Sequence, residues 1–306
     1  MTMCRSMPLC AATTPQTKVE LSFQLHHQAD NLVRQVYLNN AHKKKEFDLM
    51  NYVVLILLAS ISLMSFADNH NESAANKLFA VETQLCSLND GKTMKQYRAV
   101  MDRYYKFADK HQFNIVGVRQ TPLFTNSGPS NPATHDFNER WASTFKESGS
   151  NWELLINDPE GQKIMSDWTE VATCYGKMSS GYALYLDAEA MNKDDNRIVT
   201  WNWCTRKDDI SWDNINQQHQ NIAAEIEGKV PNIAWLLYFP QIGSRDAPGE
   251  FAHAFVYPDM NAFMAEREWF NNQEGWRIQD DYYNTYADCR GDSAMFEEVI
   301  YRPKGN

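Results

Sequence analysis

The chain of 306 residues is long enough for one or two domains, and its 43% hydrophobic residues, nine tryptophans among them, can form a full buried core. The formal net charge of −10 at neutral pH disfavours nucleic acid and anionic membrane surfaces as partners, because both repel an acidic protein. The composition therefore predicts a globular protein that does not bind nucleic acid, and it leaves the oligomeric state open.

The first recognisable feature is the apolar run 52–66, which is shorter than the roughly 20 residues that a spanning helix needs. It ends in Ser65-Phe-Ala67, small residues at the −3 and −1 positions of a signal-peptidase site, and Met50 stands just before it. We therefore predict that translation starts at Met50 and that the protein is exported to the periplasm or the cell exterior, free of the membrane after cleavage. Alternatively, Lys43 to Lys45 form a positive flank and the run is an uncleaved anchor.

The corresponding segment boundaries are an untranslated extension at 1–49, a signal peptide at 50–67 and a flexible lead-in at 68–77. Two further segments, 78–187 and 198–306, flank a charged linker at 188–197.

The first of these segments predicts one ferredoxin-like unit, in the order strand, helix, strand, strand, helix, strand. Thr93 and Gln96 form a capping box ahead of the first helix. The predicted elements are strand 78–86, a helix over 93–108, strand 113–124, strand 136–145, a helix over 151–157 and 162–172 that is broken at 159–161, and strand 182–186.

The second segment repeats this order after the linker. Its predicted elements are strand 198–204, helix 211–228, strand 232–242, strand 250–257, helix 259–271 and strand 294–301. Cys86 and Cys204 are each followed by an aspartate four residues on and a hydroxyl residue seven on. Glu160-Gly and Glu274-Gly are each followed by a basic residue and isoleucine. These matches predict an internal duplication.

Four cysteines follow the predicted cleavage site, and none has CxxC spacing, which disfavours a thiolate metal site. In a ferredoxin-like unit the end of the first strand lies beside the start of the fourth. This geometry favours Cys86–Cys174 and Cys204–Cys289 among the three pairings that four cysteines allow. The alternative is four buried free thiols in a protein that is not exported.

The organisation resembles the dimeric α/β-barrel superfamily in a fused, tandem form, which includes antibiotic-biosynthesis-monooxygenase-like domains. The resemblance covers residues 78–303 at the level of element order and carries no family signature. It implies an α+β fold in which two ferredoxin-like βαββαβ repeats pack sheet to sheet as a pseudo-dimeric α/β barrel.

Strand alternation then predicts the site. We expect the apolar phase, Val81, Leu85, Val199, Trp201 and Trp203, to lie under the helices. The opposite phase should face the space between the sheets, where polar groups need partners or a ligand. The predicted ligand-binding residues are Glu82, Gln84, Glu139, Trp141, Asn202, His253 and Phe255.

Each of these residues has a plainer interpretation. His253 lies in an aromatic strand and is either a hydrogen-bonded core residue or a general base or lone metal ligand. Glu82 and Glu139 are either solvated strand residues or two carboxylates that share a cavity. Some relatives in the resembled group use an asparagine on the first strand with a tryptophan and a histidine. Asn202 fits the first position, but no histidine follows the third strand of that half, so those roles are not transferred.

The sequence thus leaves three functions open. The first is an exported protein that handles an apolar or aromatic small molecule between the sheets without a cofactor or metal, either as a binding protein or as a cofactor-free monooxygenase-like enzyme. The second is a non-enzymatic envelope module with a filled core. The third is a haem or metal protein. Nucleotide-binding glycine loops and known hydrolase motifs are absent from the sequence.

Overall fold

A computed structural model describes residues 78–130 and 133–304. The predicted extension, signal peptide and lead-in lie outside the described residues. The strands are β1 (Phe79–Leu88), β2 (Val116–Phe124), β3 (Phe137–Ser143), β4 (Ala172–Leu186), β5 (Asn196–Arg206), β6 (Ala234–Pro240), β7 (Phe251–Tyr257), β8 (Ala287–Cys289) and β9 (Ser293–Tyr301). The helices are α1 (Met94–Lys110), α2 (Phe145–Asn157), α3 (Pro159–Val171), α4 (Ala188–Lys193), α5 (Trp212–Ile226), α6 (Met260–Asn272) and α7 (Gly275–Thr285).

Eight strands close into an antiparallel barrel in the order β1-β3-β2-β9-β5-β7-β6-β4, with β4 pairing back to β1. The short strand β8 lies beside the end of β5, beyond β9. Four strands come from each half, ordered β4-β1-β3-β2 and β9-β5-β7-β6. The pairs β2–β9 and β4–β6 join the halves along their edges. The predicted α+β class is confirmed, and full closure removes the open sheet edges.

Local sequence signals set the helix boundaries. The capping box at Thr93 and Gln96 is present, and Thr144 with Glu147 forms another at the start of α2. Asp158 follows the last residue of α2 as its C-cap and is the N-cap of α3, so the break falls at this one residue. Residues 159–161, where the sequence placed the break, are the first turn of α3. Helix α7 was not predicted, and its first residue has no side-chain cap. No helix in the described part of the chain is long and apolar enough to cross a membrane.

The prediction of which strand face lies under the helices is wrong. Val81, Val199 and Trp201 pack together from both halves, with Trp203 against them, and this cluster fills the barrel interior. Leu85 shares the phase of Val81 by strand alternation. The first strand of each half, β1 and β5, is largely covered on both faces, so an apolar phase does not identify the helix-facing side.

The interior also contains a polar network. Gln120 Nε2 donates to Glu297 over 2.7 Å, and the Gln120 Oε1 atom accepts from Arg140 and from the Trp201 indole. The Arg140 guanidinium lies 3.7 Å from the centre of a Trp201 ring. Burial lowers the pKa of Arg140 to about 10, which leaves it charged at neutral pH. Side chains therefore occupy the space that the sequence assigned to a ligand.

Both predicted disulfides are present. Cys86–Cys174 and Cys204–Cys289 are directly opposed on paired strands, each with a Cα–Cα distance of 4.1 Å. Each bridge therefore joins the end of a half's first strand to the start of its last strand region.

Candidate functional site

Two cavities lie between the helices and the outer face of the barrel, one in each half. The first cavity has a volume of about 100 Å³ and the second about 80 Å³. Of the predicted site residues, the first cavity is lined by Glu82, Gln84, Glu139 and Trp141, and the second by Asn202, His253 and Phe255. The single cavity predicted between the sheets is therefore wrong. The predicted set is instead divided between two places on the opposite side of the strands.

Strand register explains the division. Glu82 is paired with Trp141 in the first half, and Gln84 with Glu139. At the same positions before the cysteine of the second half, Thr200 is paired with Phe255 and Asn202 with His253. The two cavities thus occupy matching positions, but different side chains line them.

Glu82 is the acidic group of the first cavity that forms no ion pair within the described residues. Its Oε1 atom is 2.5 Å from Ser148 Oγ, and its Oε2 atom accepts from Trp152 Nε1 over 2.9 Å. Both partners come from α2. Burial raises the pKa of the Glu82 carboxyl above its usual value, although these two hydrogen bonds oppose the shift.

Glu139 in the same cavity has a cationic partner. Two N–H groups of Arg119 donate to its Oε1 atom over 3.0 and 2.6 Å, and both side chains are almost fully buried. The Tyr97 hydroxyl also bonds to Glu139 and accepts from Trp168 Nε1. These bonds fix Glu139 in place, as expected for a buried ion pair with its polar atoms satisfied.

Aromatic rings form the walls of the first cavity. Tyr104 packs edge-on against Trp141, with ring centroids 5.1 Å apart. A Cβ atom on Gly117 would lie 2.3 Å from the Trp141 ring, so only glycine lets this indole lie flat on β2. The remaining apolar lining consists of Met101, Phe113, Ile115, Trp152, Leu155, Ile164, Met165 and Trp168.

One amide in the first cavity lacks a partner. The Nδ2 atom of Asn151, one residue before Trp152 on α2, is buried without a hydrogen bond. Buried amides are normally satisfied, so this atom marks a place where a bound molecule or water would gain a contact.

The second cavity contains a chain of neutral polar groups. Trp235 Nε1 donates to His253 Nδ1 over 3.1 Å, so the proton of neutral His253 is on Nε2 and points to the Tyr282 hydroxyl at 3.2 Å. That hydroxyl is 2.7 Å from His219 Nε2 and is free to donate to it. Burial lowers the pKa of His219 to about 3 and that of His253 well below its usual value, so both rings are neutral at pH 7.

Asn202 lies at the same cavity. Its Nδ2 atom donates to the Tyr283 hydroxyl over 2.8 Å, and its Oδ1 atom is buried without a hydrogen bond. Glu266 in this cavity is paired with the adjacent Arg267, which also contacts Asp292. Every carboxylate in this cavity therefore has a cation nearby.

The sequence did not identify several residues that complete the two sites. Ser148 lies on the first part of α2, which the sequence left outside the helix. Trp152 lies within the predicted helix but was not recognised as a site residue, and Tyr282 lies on the unpredicted α7. The match between Glu160-Gly and Glu274-Gly was the available signal for α7, because it aligns α3 with that segment.

The described residues contain no cluster of three or more histidine, cysteine, aspartate or glutamate residues that could hold a metal ion. A haem held through imidazole needs a ring nitrogen as its ligand. Both ring nitrogens of His253 and the Nε2 atom of His219 already have hydrogen-bond partners, whereas the buried Nε2 atom of His111 has none within the described part of the chain.

No protein-family model matches the sequence. No curated protein matches it either.

Solved structures with similar architecture do exist. One is a candidate monooxygenase from Fusobacterium nucleatum, with 9% identity, 75% of this chain and 96% of that chain covered, and a TM-score of 0.46. An anthrone oxidase-like protein gives 10% identity, 76% and 95% coverage, and a TM-score of 0.47. A chlorite dismutase from Candidatus Nitrospira defluvii gives 9% identity, 76% and 95% coverage, and a TM-score of 0.42. These likenesses concern the architecture alone.

Proposed function

We propose that this protein binds a small apolar or aromatic molecule in the first cavity. The observation that carries the proposal is the lining: aromatic and aliphatic walls around about 100 Å³, with a few polar groups that converge on one space. Apolar cavities of this order accept a single aromatic ring, whereas polar cavities fill with water. The barrel interior is not proposed, because side chains fill it.

A binding test separates this proposal from a purely structural role. Benzyl alcohol at millimolar concentration should raise the melting temperature of the purified protein, and titration should quench tryptophan fluorescence, because three indoles line the cavity. The cavity-filling variant Ile164→Phe should lose both responses. The matched variant Ile222→Phe changes the second cavity and should retain the fluorescence response. A flat response from the unaltered protein would favour the non-enzymatic module with a filled core.

We also propose that the halves are two ferredoxin-like copies, with boundaries at 78–187 and 198–306 around the linker 188–197. The shared strand order and the matching positions of the disulfides support this duplication. Expression of 198–306 alone, with its internal Cys204–Cys289 bridge, would test it by the oligomeric state, since a copy of this kind should form a non-covalent homodimer that closes the barrel.

Export to an oxidising compartment is a third proposal. Two disulfides support it, because such bonds persist mainly outside the reducing cytosol. Mass spectrometry of protein purified from its native cells should find an N-terminus at Asp68 and both bridges intact. A mature chain that retains 50–67, or that carries free thiols, would contradict the proposal.

A further inference from the structure

The charge balance of the first cavity indicates which small molecules it takes. Two carboxylates, Glu82 and Glu139, line it, and no lysine, arginine or histidine is among the described residues of its lining. Arg119 reaches Glu139 from outside that lining, and it also lies 3.6 Å from Glu298. Arg119 is therefore the shared cation of the buried Glu139 and of Glu298, and Glu82 has no counter-charge within the described residues.

The hydrogen bonds of Glu82 favour its charged form. A tryptophan N–H can only donate, so Oε2 of Glu82 acts as an acceptor from Trp152, and the Ser148 hydroxyl is placed to donate to Oε1. Neither partner carries a charge. A carboxylate held in this way among apolar groups gains most from a cation that enters the same space.

The walls suit a cation as well. Trp141 pairs with Glu82 across the strands, Trp152 bonds to it, and Tyr104 packs on Trp141. The faces of tryptophan and tyrosine rings carry partial negative charge and attract ammonium groups, and several such rings around one space form the usual cage for them.

We propose that the first cavity binds a protonated aromatic amine, with the ammonium group at Glu82 and the ring among the tryptophans. This rests on the proposed function and specifies its ligand class. The second cavity does not share the preference, because Arg267 is part of its lining and contacts both of its carboxylates, Glu266 and Asp292.

The other titratable groups around Glu82 define the expected pH dependence. Tyr104 faces it from α1, and Glu139, paired with Arg119, faces it from β3; the lining residues of α2 and α3 do not titrate. Amine binding should therefore weaken as the pH falls through the raised pKa of Glu82. A neutral ligand should show no such change.

Benzylamine and benzyl alcohol form a matched pair of probes, since they differ mainly in charge. By calorimetry at pH 7.5, the unaltered protein should bind benzylamine at least about tenfold more tightly than benzyl alcohol. Glu82→Gln keeps the size and an acceptor for Trp152; it should weaken benzylamine binding about tenfold and leave benzyl alcohol binding within about twofold. Glu153→Gln removes an exposed charge from α2, the helix that carries Trp152, and should change neither affinity.

The outcomes separate the two proposals. Binding of neither probe by a folded, unaltered protein would overturn the proposed function and this inference with it. Equal binding of both probes, unchanged by Glu82→Gln, would overturn the amine inference alone. Circular dichroism of Glu82→Gln, together with its retained affinity for benzyl alcohol, shows that the variant is folded. If that variant loses both probes, Glu82 supports the cavity as a whole and the charge argument fails.

Discussion

The first and second cavities lie at the same place in their halves, yet their polar groups are paired differently. In the first, Trp141 lies flat on Gly117, Glu139 is paired with Arg119, and Glu82 is unpaired. In the second, the matching strand positions carry Phe255 on Trp235, with ring centroids 4.8 Å apart, and His253 in a neutral hydrogen-bond chain. One scaffold therefore supports an aromatic cavity with a carboxylate that has no counter-charge among the described residues, and a second cavity in which both carboxylates, Glu266 and Asp292, contact Arg267.

The scaffold, meaning the paired strands and their disulfides, is independent of the lining, meaning the side chains that face the helices. Strand pairing and disulfide positions agree between the halves, whereas the side chains that face the helices differ. Substitutions in the scaffold should therefore have similar effects on stability in both halves, and substitutions in the lining should have different effects.

The disulfides test the shared scaffold, and they carry the largest expected effect. The bridges close loops with sequence separations of 88 and 85 residues. On the chain-entropy model, replacing either pair of cysteines by serine should cost about 4–5 kcal/mol of unfolding free energy. Urea denaturation of Cys86→Ser/Cys174→Ser and of Cys204→Ser/Cys289→Ser should give similar losses. A loss confined to one half would contradict the shared scaffold.

Gly117 tests the lining of the first half. Gly117→Ala places a methyl group against the rigid Trp141 ring and should destabilise the protein by about 1–3 kcal/mol while reducing benzyl alcohol binding. Gly149→Ala in α2 is the control, because nothing lies within 4 Å of its added Cβ. That change should stabilise the protein by up to about 1 kcal/mol, since alanine favours helix over glycine. If Gly117→Ala proves as harmless as Gly149→Ala, Trp141 does not lie as described.

Tyr282 tests the hydrogen-bond chain of the second half. Tyr282→Phe removes the hydroxyl that contacts both His253 and His219 and leaves buried ring nitrogens unpaired. The expected cost is about 1–2 kcal/mol. Tyr286→Phe is the control. Tyr286 directly follows α7 and stacks on Tyr282, and its substitution should change the unfolding free energy little. Benzylamine affinity should be unchanged in both variants, because the first cavity is intact.

The two histidines predict an acid sensitivity specific to the second half. A histidine whose pKa is lower in the folded protein contributes full stability above its unfolded pKa of about 6.5, and loses about 1.4 kcal/mol per pH unit below it. The carboxyls with raised pKa act in the opposite direction, so the difference between variants is the useful measure. His219→Gln should flatten the fall in stability between pH 6 and pH 4 relative to the unaltered protein. His135→Gln, in the loop before β3, should flatten this fall less, because His135 is less buried than His219.

The sequence predicted the scaffold well because short-range signals encode it. The capping box at Thr93 and the cysteine pairings each depend on a few adjacent residues or on strand order, and both are confirmed. The helix break predicted at 159–161 exists but falls at Asp158, because a proline fits the first turn of a helix. Alternation in β1 also separated Glu82 from Val81 correctly.

The sequence did not predict which side of the strands faces the helices. The interior accepts Trp201 and Arg140 because a cation–π contact and Gln120 satisfy them, and the helix side accepts Glu82 because Ser148 and Trp152 bond to it. Polarity along one strand carries no information about partners that arrive from other elements. The division of the site into two cavities depends on those partners and could not be predicted.

The most direct test of aromatic binding in the first cavity is to locate a bound aromatic molecule by crystallography. Crystals soaked in bromobenzene should give an anomalous bromine peak in the first cavity, between the rings of Trp141 and Trp152. A peak in the barrel interior or in the second cavity, with the first cavity left without one, would contradict the account.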